Sequence, residues 1–399
     1  MRRRTFISLL GGAALAPLAT RPVNADTLEG CGLPAAREDG WPAVTADDAS
    51  VDRSALCTMA DRLAGDNDPH IHGVVVARGG KLAFERYFPG ADEIPGRIFG
   101  HRIADVAFDS DTLHAMKSVS KSIASLAVGI AIDRGLIPGV DEPLFNFFPE
   151  LADLRTPEKD ALRLSHVLTM SLGLRWIEAT AATGDFDNDE ARMNMAQDSC
   201  RYVLGLPSTA PPGREFFYNT GALTLLSTII RKATGQPLDV FARDNLFAPL
   251  GITTVDWARV KGDTDAGGGL RLRPRDMARI GQLVLAGGQW NGRQIVPKAW
   301  IEASTALQIT ATDGMSYGYL WWLGRTRLNG RELQWVGALG RGGQSIRIVP
   351  ELDLVVAVTA GYYQDYSPRA FQAQYGVFRD VVRATSPRGL GERGRYIRP

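Results

Sequence analysis

A long uncharged segment, preceded by a serine and a lysine, constrains the fold of this chain more than any other stretch. Eleven residues from Ser122 to Ile132 carry no charge, and Asp133-Arg134-Gly135 then ends the run. A helix that is apolar on nearly every side belongs in the centre of a domain, and the glycine is a typical stop signal. We therefore expect a buried helix that begins near Ser118, with the rest of the domain packed around it.

Ser118 and Lys121 stand three residues apart at the start of this helix. On a helix that spacing puts both side chains on one face, within reach of each other. A serine hydroxyl is a weak nucleophile until a base takes its proton, and a lysine can do so when burial favours its uncharged form. The first helical turn also has unpaired N–H groups that stabilise an oxyanion. The alternative is structural: Ser118 caps the helix and Lys121 extends to water.

Strand-like segments lie near both ends of the chain, and helical patterns fill the middle. Residues 71–77 and 82–88 predict a β-hairpin around Gly79-Gly80. The periodicity and the Gly and Pro boundaries predict helices at 53–64, 164–174, 222–234, 238–247, 274–286, 297–303 and 369–383, and strands at 332–337, 345–349 and 354–360.

This order indicates an α+β fold in which the N- and C-terminal segments build one antiparallel sheet flanked by helices. The middle of the chain would insert as a second, mainly helical domain. The predicted domains are residues 26–145 together with 290–399 for the sheet, and residues 146–289 for the helical insertion.

The first 25 residues have the pattern of an export signal. Three arginines precede an uncharged run from Ile7 to Leu18, which is too short to span a bilayer. Arg3-Arg4-Thr5-Phe6-Ile7 is similar to a twin-arginine signal, and Val23-Asn24-Ala25 offers a cleavage site. We expect a signal peptide at 1–25, a periplasmic or secreted mature protein, and no membrane anchor after cleavage.

Charge and cysteine content argue against several functional classes. With 45 basic and 44 acidic residues the formal net charge is +1, so no strong field favours nucleic acid or an anionic membrane. Three cysteines without CxxC spacing and five scattered histidines give no metal-binding pattern, and we expect neither metal nor cofactor. In an exported protein, Cys31, Cys57 and Cys200 could form one disulfide and leave one thiol unpaired. The oligomeric state stays open.

Two further motifs follow at distances that suit a shared site. Tyr218 lies in the segment Tyr218-Asn219-Thr220-Gly221, just before a predicted helix, and the segment Gly340-Arg341-Gly342-Gly343-Gln344 leads into a predicted strand. A tyrosine beside a lysine ammonium can share one proton with it. The alternative for Tyr218 is a loop aromatic that packs on the core.

Together these motifs resemble the class C β-lactamase-like family of penicillin-recognising serine hydrolases over almost all of the mature chain. Within that family the chain is most similar to 6-aminohexanoate-dimer hydrolases and related esterases. The supporting stretches are LTMSLGLRW at 168–176, YNTG at 218–221, GGGLRLRPRD at 267–276, YGYLWW at 317–322 and GGQ at 342–344. The resemblance implies a β-lactamase/transpeptidase-like fold and a small-molecule ester or amide as substrate.

By that resemblance Ser118 attacks the substrate carbonyl, Lys121 takes part in proton transfer, and Tyr218 acts as general base or acid. The Ser118 N–H and the N–H of Gly343 or Gln344 would form the oxyanion hole, with the register open by one residue.

Three more positions, Trp176, Thr220 and Arg341, are expected to contact substrate. Trp176 is alternatively a core residue, and Arg341 alternatively a solvent-facing turn residue. Thr220 stands where the family often has asparagine. The family's third motif usually has a lysine that binds the β-lactam carboxylate, but this chain has no lysine after Lys298. That departure argues against strong β-lactamase activity.

These residues predict a serine hydrolase that cleaves esters or amides through an acyl-enzyme on Ser118. It would be 6-aminohexanoate-dimer hydrolase-like or carboxylesterase-like, and both types would share the same nucleophile, lysine and tyrosine. The acyl and leaving groups therefore stay open. The alternatives are a D-amino-acid peptidase or weak β-lactamase, and a non-enzymatic, penicillin-binding-like sensor.

Overall fold

The computed structural model of the chain describes residues 31–37, 40–65, 70–95, 101–178, 187–312 and 314–385. The predicted signal peptide lies outside these stretches, and no helix within them is long and apolar enough to cross a membrane. The helices are α1 (Arg53–Ala64), α2 (Val119–Asp133), α3 (Leu164–Leu168), α4 (Asp189–Met195), α5 (Ser199–Gly205), α6 (Ala222–Thr234), α7 (Leu238–Ala242), α8 (Pro274–Leu285), α9 (Lys298–Ser304) and α10 (Arg369–Ala384).

Eight of the strands form the main sheet, and the others are short. The strands are β1 (Ile71–Arg78), β2 (Lys81–Tyr87), β3 (Gly90–Pro95), β4 (His101–Val106), β5 (His114–Ala115), β6 (Asp256–Trp257), β7 (Arg259–Val260), β8 (Asp263–Thr264), β9 (Leu270–Leu272), β10 (Gln289–Trp290), β11 (Arg293–Gln294), β12 (Ile309–Thr310), β13 (Ser316–Tyr317), β14 (Trp322–Leu328), β15 (Arg331–Gly340), β16 (Gln344–Val349) and β17 (Leu354–Ala360).

The main sheet is antiparallel and joins the two ends of the chain. Its order is β12-β13-β14-β15-β16-β17-β1-β2, so the N-terminal hairpin meets the C-terminal strands along the β1–β17 pair. The predicted α+β fold, with one sheet built from both ends of the chain, is confirmed. The predicted hairpin and the three predicted C-terminal strands are present, whereas β14 had no strand pattern predicted for it.

Both faces of the sheet are covered by helices. Every residue of β1 is buried, and its side chains alternate between two cores because successive strand residues point to opposite faces. Val75 and Ala77 belong to the core that contains α2 and α8. Val74 and Val76 belong to the core that contains α1 and α10.

Helix α2 is the buried helix expected from the uncharged segment. All its residues from Val119 to Ala131 are buried, and it contacts β15 on one side and α6, α7 and α9 on others. Each of its five buried Val, Leu and Ile side chains contributes about 1.5–3 kcal/mol to folding. The helix therefore connects the sheet to the mainly helical region and fixes the position of its own first turn.

Helix α8 lies within residues 146–289 but packs on the sheet. A Cβ added at Gly281 would lie 2.8 Å from the Ile346 side chain and would also contact Val355, so the glycine permits close approach to β16 and β17. The domain boundaries stay a prediction, and the structure adds that α8 covers part of the sheet.

The predicted helix at 164–174 is wrong in its length. Helix α3 ends at Leu168, and Met170 then takes a left-handed backbone conformation with φ 55°. The following backbone groups pair with a distant loop, because the Phe217 N–H donates to the Met170 carbonyl and the Gly213 N–H donates to that of Ser171. These tertiary hydrogen bonds replace the next helical turn.

One disulfide joins Cys31 to Cys57 on α1, and Cys200 is buried with a free thiol. One of the three possible pairings is thus formed, and one cysteine is left unpaired.

The packing around α2 gives a stability prediction. A Cβ at Gly129 would collide with the Trp300 ring on α9, so Gly129→Ala should lower the free energy of unfolding by about 1–3 kcal/mol despite the better helix propensity of alanine. Gly376 in α10 has open space around the same position, and Gly376→Ala should be neutral or stabilising by up to about 1 kcal/mol. Urea denaturation measures the free energy of unfolding of both variants. Equal changes in the two variants would contradict the described packing of Gly129 against Trp300.

Candidate active site

The Ser118 hydroxyl is bonded to Lys121 and does not cap its helix. Ser118 occupies the N-cap position of α2 without a capping hydrogen bond from its side chain. Lys121 Nζ donates to Ser118 Oγ at 2.8 Å and to the Gly267 carbonyl oxygen at 2.7 Å. Because Lys121 is only 1% exposed, it does not extend to water, and the structural alternative for this pair is wrong.

The loop that presents the Gly267 carbonyl is shaped by Asp265. Asp265 Oδ1 accepts hydrogen bonds from the Gly267 N–H at 3.0 Å and the Gly268 N–H at 3.1 Å. A Cβ added at Gly267 would lie 2.8 Å from Thr220 Cγ2, so only glycine lets this loop approach the Tyr218 segment. The glycine run at 267–269 was the only sequence signal for this part of the site, and Asp265 was missed.

Tyr218 lies beside the Ser118–Lys121 pair, in the loop before α6. Its ring centroid is 5.1 Å from Lys121 Nζ, and its side chain is half-buried. Within the described residues the Tyr218 hydroxyl makes no hydrogen bond. On the other side the ring stacks with Trp322 at 6.1 Å between centroids. The structure thus brings together the three side chains predicted to be catalytic.

Glu178 fixes the Tyr218 loop through hydrogen bonds to Thr220. Its carboxylate accepts from the Thr220 hydroxyl at 2.6 Å, the Thr220 N–H at 3.1 Å and Trp176 Nε1 at 2.5 Å. Trp176 is 2% exposed, and a Cβ at Gly221 would lie 2.5 Å from its ring. The expectation that Trp176 contacts substrate is therefore wrong, and the core alternative is correct. Thr220 supports the loop through Glu178, which no sequence motif had indicated.

The glycine segment after β15 reaches Ser118 at a different residue from the one predicted. A Cβ at Gly340 would lie 3.2 Å from the Ser118 nitrogen, which places this residue against the start of α2. The Gly343 N–H instead donates to the Gly340 carbonyl at 3.3 Å. The buried Gln344 side chain bonds to both backbone groups of Ala360. Gly340, at the start of the turn 340–342, is thus the residue of this segment that lies next to Ser118. The Gly343 N–H is already paired within the segment, and the choice of oxyanion donor stays a prediction.

Arg341 and Glu190 add charge around the site. Arg341 donates to the Tyr366 hydroxyl at 3.0 Å and lies over that ring, so it is not a freely solvated turn residue. Burial raises the pKa of the Glu190 carboxyl above its ordinary value and Glu178 adds to the rise, while Lys121 and Arg341 oppose it. Glu190, which sequence analysis missed, is therefore within electrostatic range of the Ser118–Lys121 pair.

A buried polar cluster lies behind the nucleophile, around the strand β5 that leads to it. His72 Nδ1 and His114 Nε2 are 2.8 Å apart, and the Tyr363 hydroxyl donates to Asp92 at 2.6 Å. Arg271 also donates to Asp92, at 2.7 Å. Burial lowers the pKa of His72 to about 3 and that of His114 to about 4, so both imidazoles are neutral near pH 7.

Comparisons with a family model and with two relatives agree on the family of this chain. A family model described as Beta-lactamase matches residues 59–375. The 6-aminohexanoate-dimer hydrolase of Paenarthrobacter ureafaciens is 25% identical over 307 residues, covering 69% of this chain and 73% of that protein. Esterase EstB of Burkholderia gladioli is 30% identical over 188 residues, covering 45% of this chain and 44% of that protein.

The fold also matches a solved structure. The octameric penicillin-binding protein homologue from Pyrococcus abyssi superposes with a TM-score of 0.58 and 19% identity, covering 82% of this chain and 77% of that one. At this identity the likeness shows the fold alone, and it agrees with the predicted β-lactamase/transpeptidase-like architecture.

The histidine pair gives a pH prediction. Because both folded-state pKa values lie below the ordinary 6.5, the unfolded chain binds more protons, and stability should fall as the pH drops from about 6.5 towards 4. Each histidine contributes at most about 1.4 kcal/mol per pH unit. His72→Asn keeps a hydrogen-bonding group but removes one titration, so Tm should fall less steeply over this range.

Phe108→Leu is the matched control, since Phe108 stacks on His72 at 4.4 Å between ring centroids. It weakens the packing but keeps both histidines, and its Tm should depend on pH as in the wild type. The same slope in His72→Asn and in the wild type would contradict the assignment.

Proposed function

Because this chain belongs to the Beta-lactamase family, we propose that it is a serine hydrolase that cleaves esters or amides through an acyl-enzyme on Ser118. The observation that carries the proposal is the 2.8 Å hydrogen bond between the buried Lys121 amine and the Ser118 hydroxyl. The similarity to a 6-aminohexanoate-dimer hydrolase and to esterase EstB supports the same reaction class.

In the proposed acylation, Lys121 in its uncharged form takes the proton of Ser118 as Oγ bonds to the substrate carbonyl carbon. The resulting oxyanion accepts from the Ser118 N–H at the start of α2 and from the backbone of the turn 340–342. The proton then passes by way of the Tyr218 hydroxyl to the leaving alkoxide or amine as the carbonyl–O or carbonyl–N bond breaks. In deacylation, water adds to the carbonyl carbon of the acyl-enzyme ester and Lys121 takes a proton from it. As the bond between that carbon and Ser118 Oγ breaks, Lys121 returns a proton to Oγ, and the carboxylic acid leaves.

The surroundings of Tyr218 favour a substrate with an apolar part. Phe216 and Tyr317 make ring contacts with Trp322, which stacks on Tyr218. Phe217, next in the chain, is 51% exposed. Aromatic surface beside a nucleophile binds aliphatic or aromatic acyl chains by excluding water.

The alternatives predict different substrate rankings for the purified protein. We expect turnover of p-nitrophenyl butyrate or 6-aminohexanoate dimer, with nitrocefin the poorest because no lysine follows Lys298. A stable penicillin adduct with efficient nitrocefin turnover would favour the peptidase or β-lactamase. One burst of acylation without turnover of any substrate would favour the sensor.

We also propose that the protein is exported through the predicted signal at 1–25. The Cys31–Cys57 disulfide supports this, since such bonds persist mainly in oxidising compartments. Expressed in a bacterium with twin-arginine export, the mature chain should begin near Asp26 and fractionate outside the cytoplasm. Replacing Arg3 and Arg4 by lysine should retain it inside. An uncleaved cytoplasmic wild-type protein that begins at Met1 would contradict the proposal.

Loss of the nucleophile tests the main proposal. Ser118→Ala should lower kcat at least about 10³-fold and abolish covalent labelling by a fluorophosphonate. Tyr218→Phe should lower kcat by about 10²–10⁴-fold, because it removes the proton route but leaves Ser118 in place. Ser120→Ala is the matched control: the Ser120 hydroxyl bonds to the Lys117 carbonyl and the Leu270 N–H, so labelling should persist. Labelling that survives in Ser118→Ala would place the nucleophile elsewhere.

A further inference from the structure

The residue before the nucleophile has an unusual backbone conformation. Lys117 has φ 49°, in the left-handed region that favours glycine. A lysine stays there only when its surroundings hold it. Its position sets the direction of the Ser118 N–H, which the proposed function uses as an oxyanion donor.

An ion pair with strand β3 holds this lysine. Lys117 Nζ lies 2.8 Å from Glu93 Oε2 on β3, and the two side chains are only 16% and 15% exposed. Lys117 Nζ also lies 5.4 Å from the centroid of the Tyr363 ring. The side chain is therefore fixed from two sides, by a carboxylate and by an aromatic face.

The same tyrosine also contacts the other side of the oxyanion pocket. A Cβ added at Gly342 would lie 2.8 Å from Tyr363 Cδ1, so the ring packs directly on the turn 340–342. Its hydroxyl donates to Asp92 at 2.6 Å, and Asp92 is 1% exposed and also bound by Arg271. The ring is thus anchored at its far end between the two backbone segments that flank the proposed oxyanion.

We propose that Glu93 and Tyr363 are positioning residues for catalysis: Glu93 holds Lys117 in its left-handed conformation, and Tyr363 sets the distance between the Ser118 N–H and the turn 340–342. This inference rests on the proposed function, because it assigns these groups to the acylation step of that same site. Glu93 contacts Lys117, and Tyr363 contacts Lys117, Asp92 and the turn 340–342, so in this proposal each acts through the backbone.

Such a role affects the transition state more than substrate binding. The oxyanion forms only as the carbonyl carbon becomes tetrahedral, so misplaced donors lower the acylation rate with little change in KM. A purely structural role would instead lower Tm or the active fraction and leave the rate per active site unchanged. The two roles are therefore distinguishable.

The first experiment compares Tyr363→Phe with Tyr375→Phe. Tyr363→Phe keeps the ring but removes its anchor on Asp92, while the Tyr375 hydroxyl bonds to the Arg325 carbonyl near the protein surface. With active sites titrated by fluorophosphonate and p-nitrophenyl butyrate as substrate, the acylation rate per site should fall at least about tenfold in Tyr363→Phe. KM should stay within about twofold, and Tyr375→Phe should match the wild type.

The second experiment is a double-mutant cycle on the ion pair. Glu93→Gln should lower the acylation rate per site at least about tenfold. Lys117→Gly adopts the left-handed conformation without help, so adding Glu93→Gln to it should change the rate by less than about twofold. Glu332→Gln, which breaks a surface pair with Arg325, is the matched control and should match the wild type.

The outcomes separate this inference from the function on which it rests. Wild-type acylation that is lost in Ser118→Ala, together with unchanged rates in Tyr363→Phe and Glu93→Gln, would overturn the positioning role alone. A lower Tm with an unchanged rate per titrated site would also overturn it. A wild-type protein that never becomes acylated would overturn both.

Discussion

The burial of the Lys121 amine against the Ser118 hydroxyl is the constraint on which the rest of the site depends. An amine in the protein interior is costly unless it is hydrogen-bonded. The structure meets this requirement with Ser118 Oγ, the Gly267 carbonyl and the face of the Tyr218 ring. These groups come from helix α2 and from two loops that are remote in sequence, so satisfying one side chain requires three chain segments to converge.

Each of the two converging loops is itself fixed by a carboxylate that accepts from backbone N–H. Asp265 holds the loop that carries Gly267, and Glu178 holds the loop that carries Tyr218. Neither carboxylate bonds to Ser118 or Lys121 in the structure. Their effect is to hold both loops in place beside the helix, which suits a site whose chemistry depends on distances between fixed groups.

Local sequence patterns predict much of the fold and of the candidate site. The features that they do not predict depend on tertiary contacts. The pairing of Ser118 with Lys121 follows from helical spacing and the uncharged run behind it, and the β1–β2 hairpin follows from its two glycines. Trp176 could not be assigned from its type, because its burial depends on Gly221, which lies 45 residues further along the chain. The register at Gly340 depends on Gly342 and Gly343, whose φ values of 85° and 95° turn the backbone before β16. That geometry is not specified by the glycines alone.

The pairing of β1 with β17 also bears on how the molecule is made. Ile71 and Ala360 are partners in this pair of strands. During synthesis, β1 therefore emerges long before β17 has been made. Until then the hairpin has an open edge of unpaired backbone groups, which favours association with other chains. Of the strands in the main sheet, β17 is the last to be synthesised, so a nascent chain interrupted before residue 354 would lack the strand that pairs with β1.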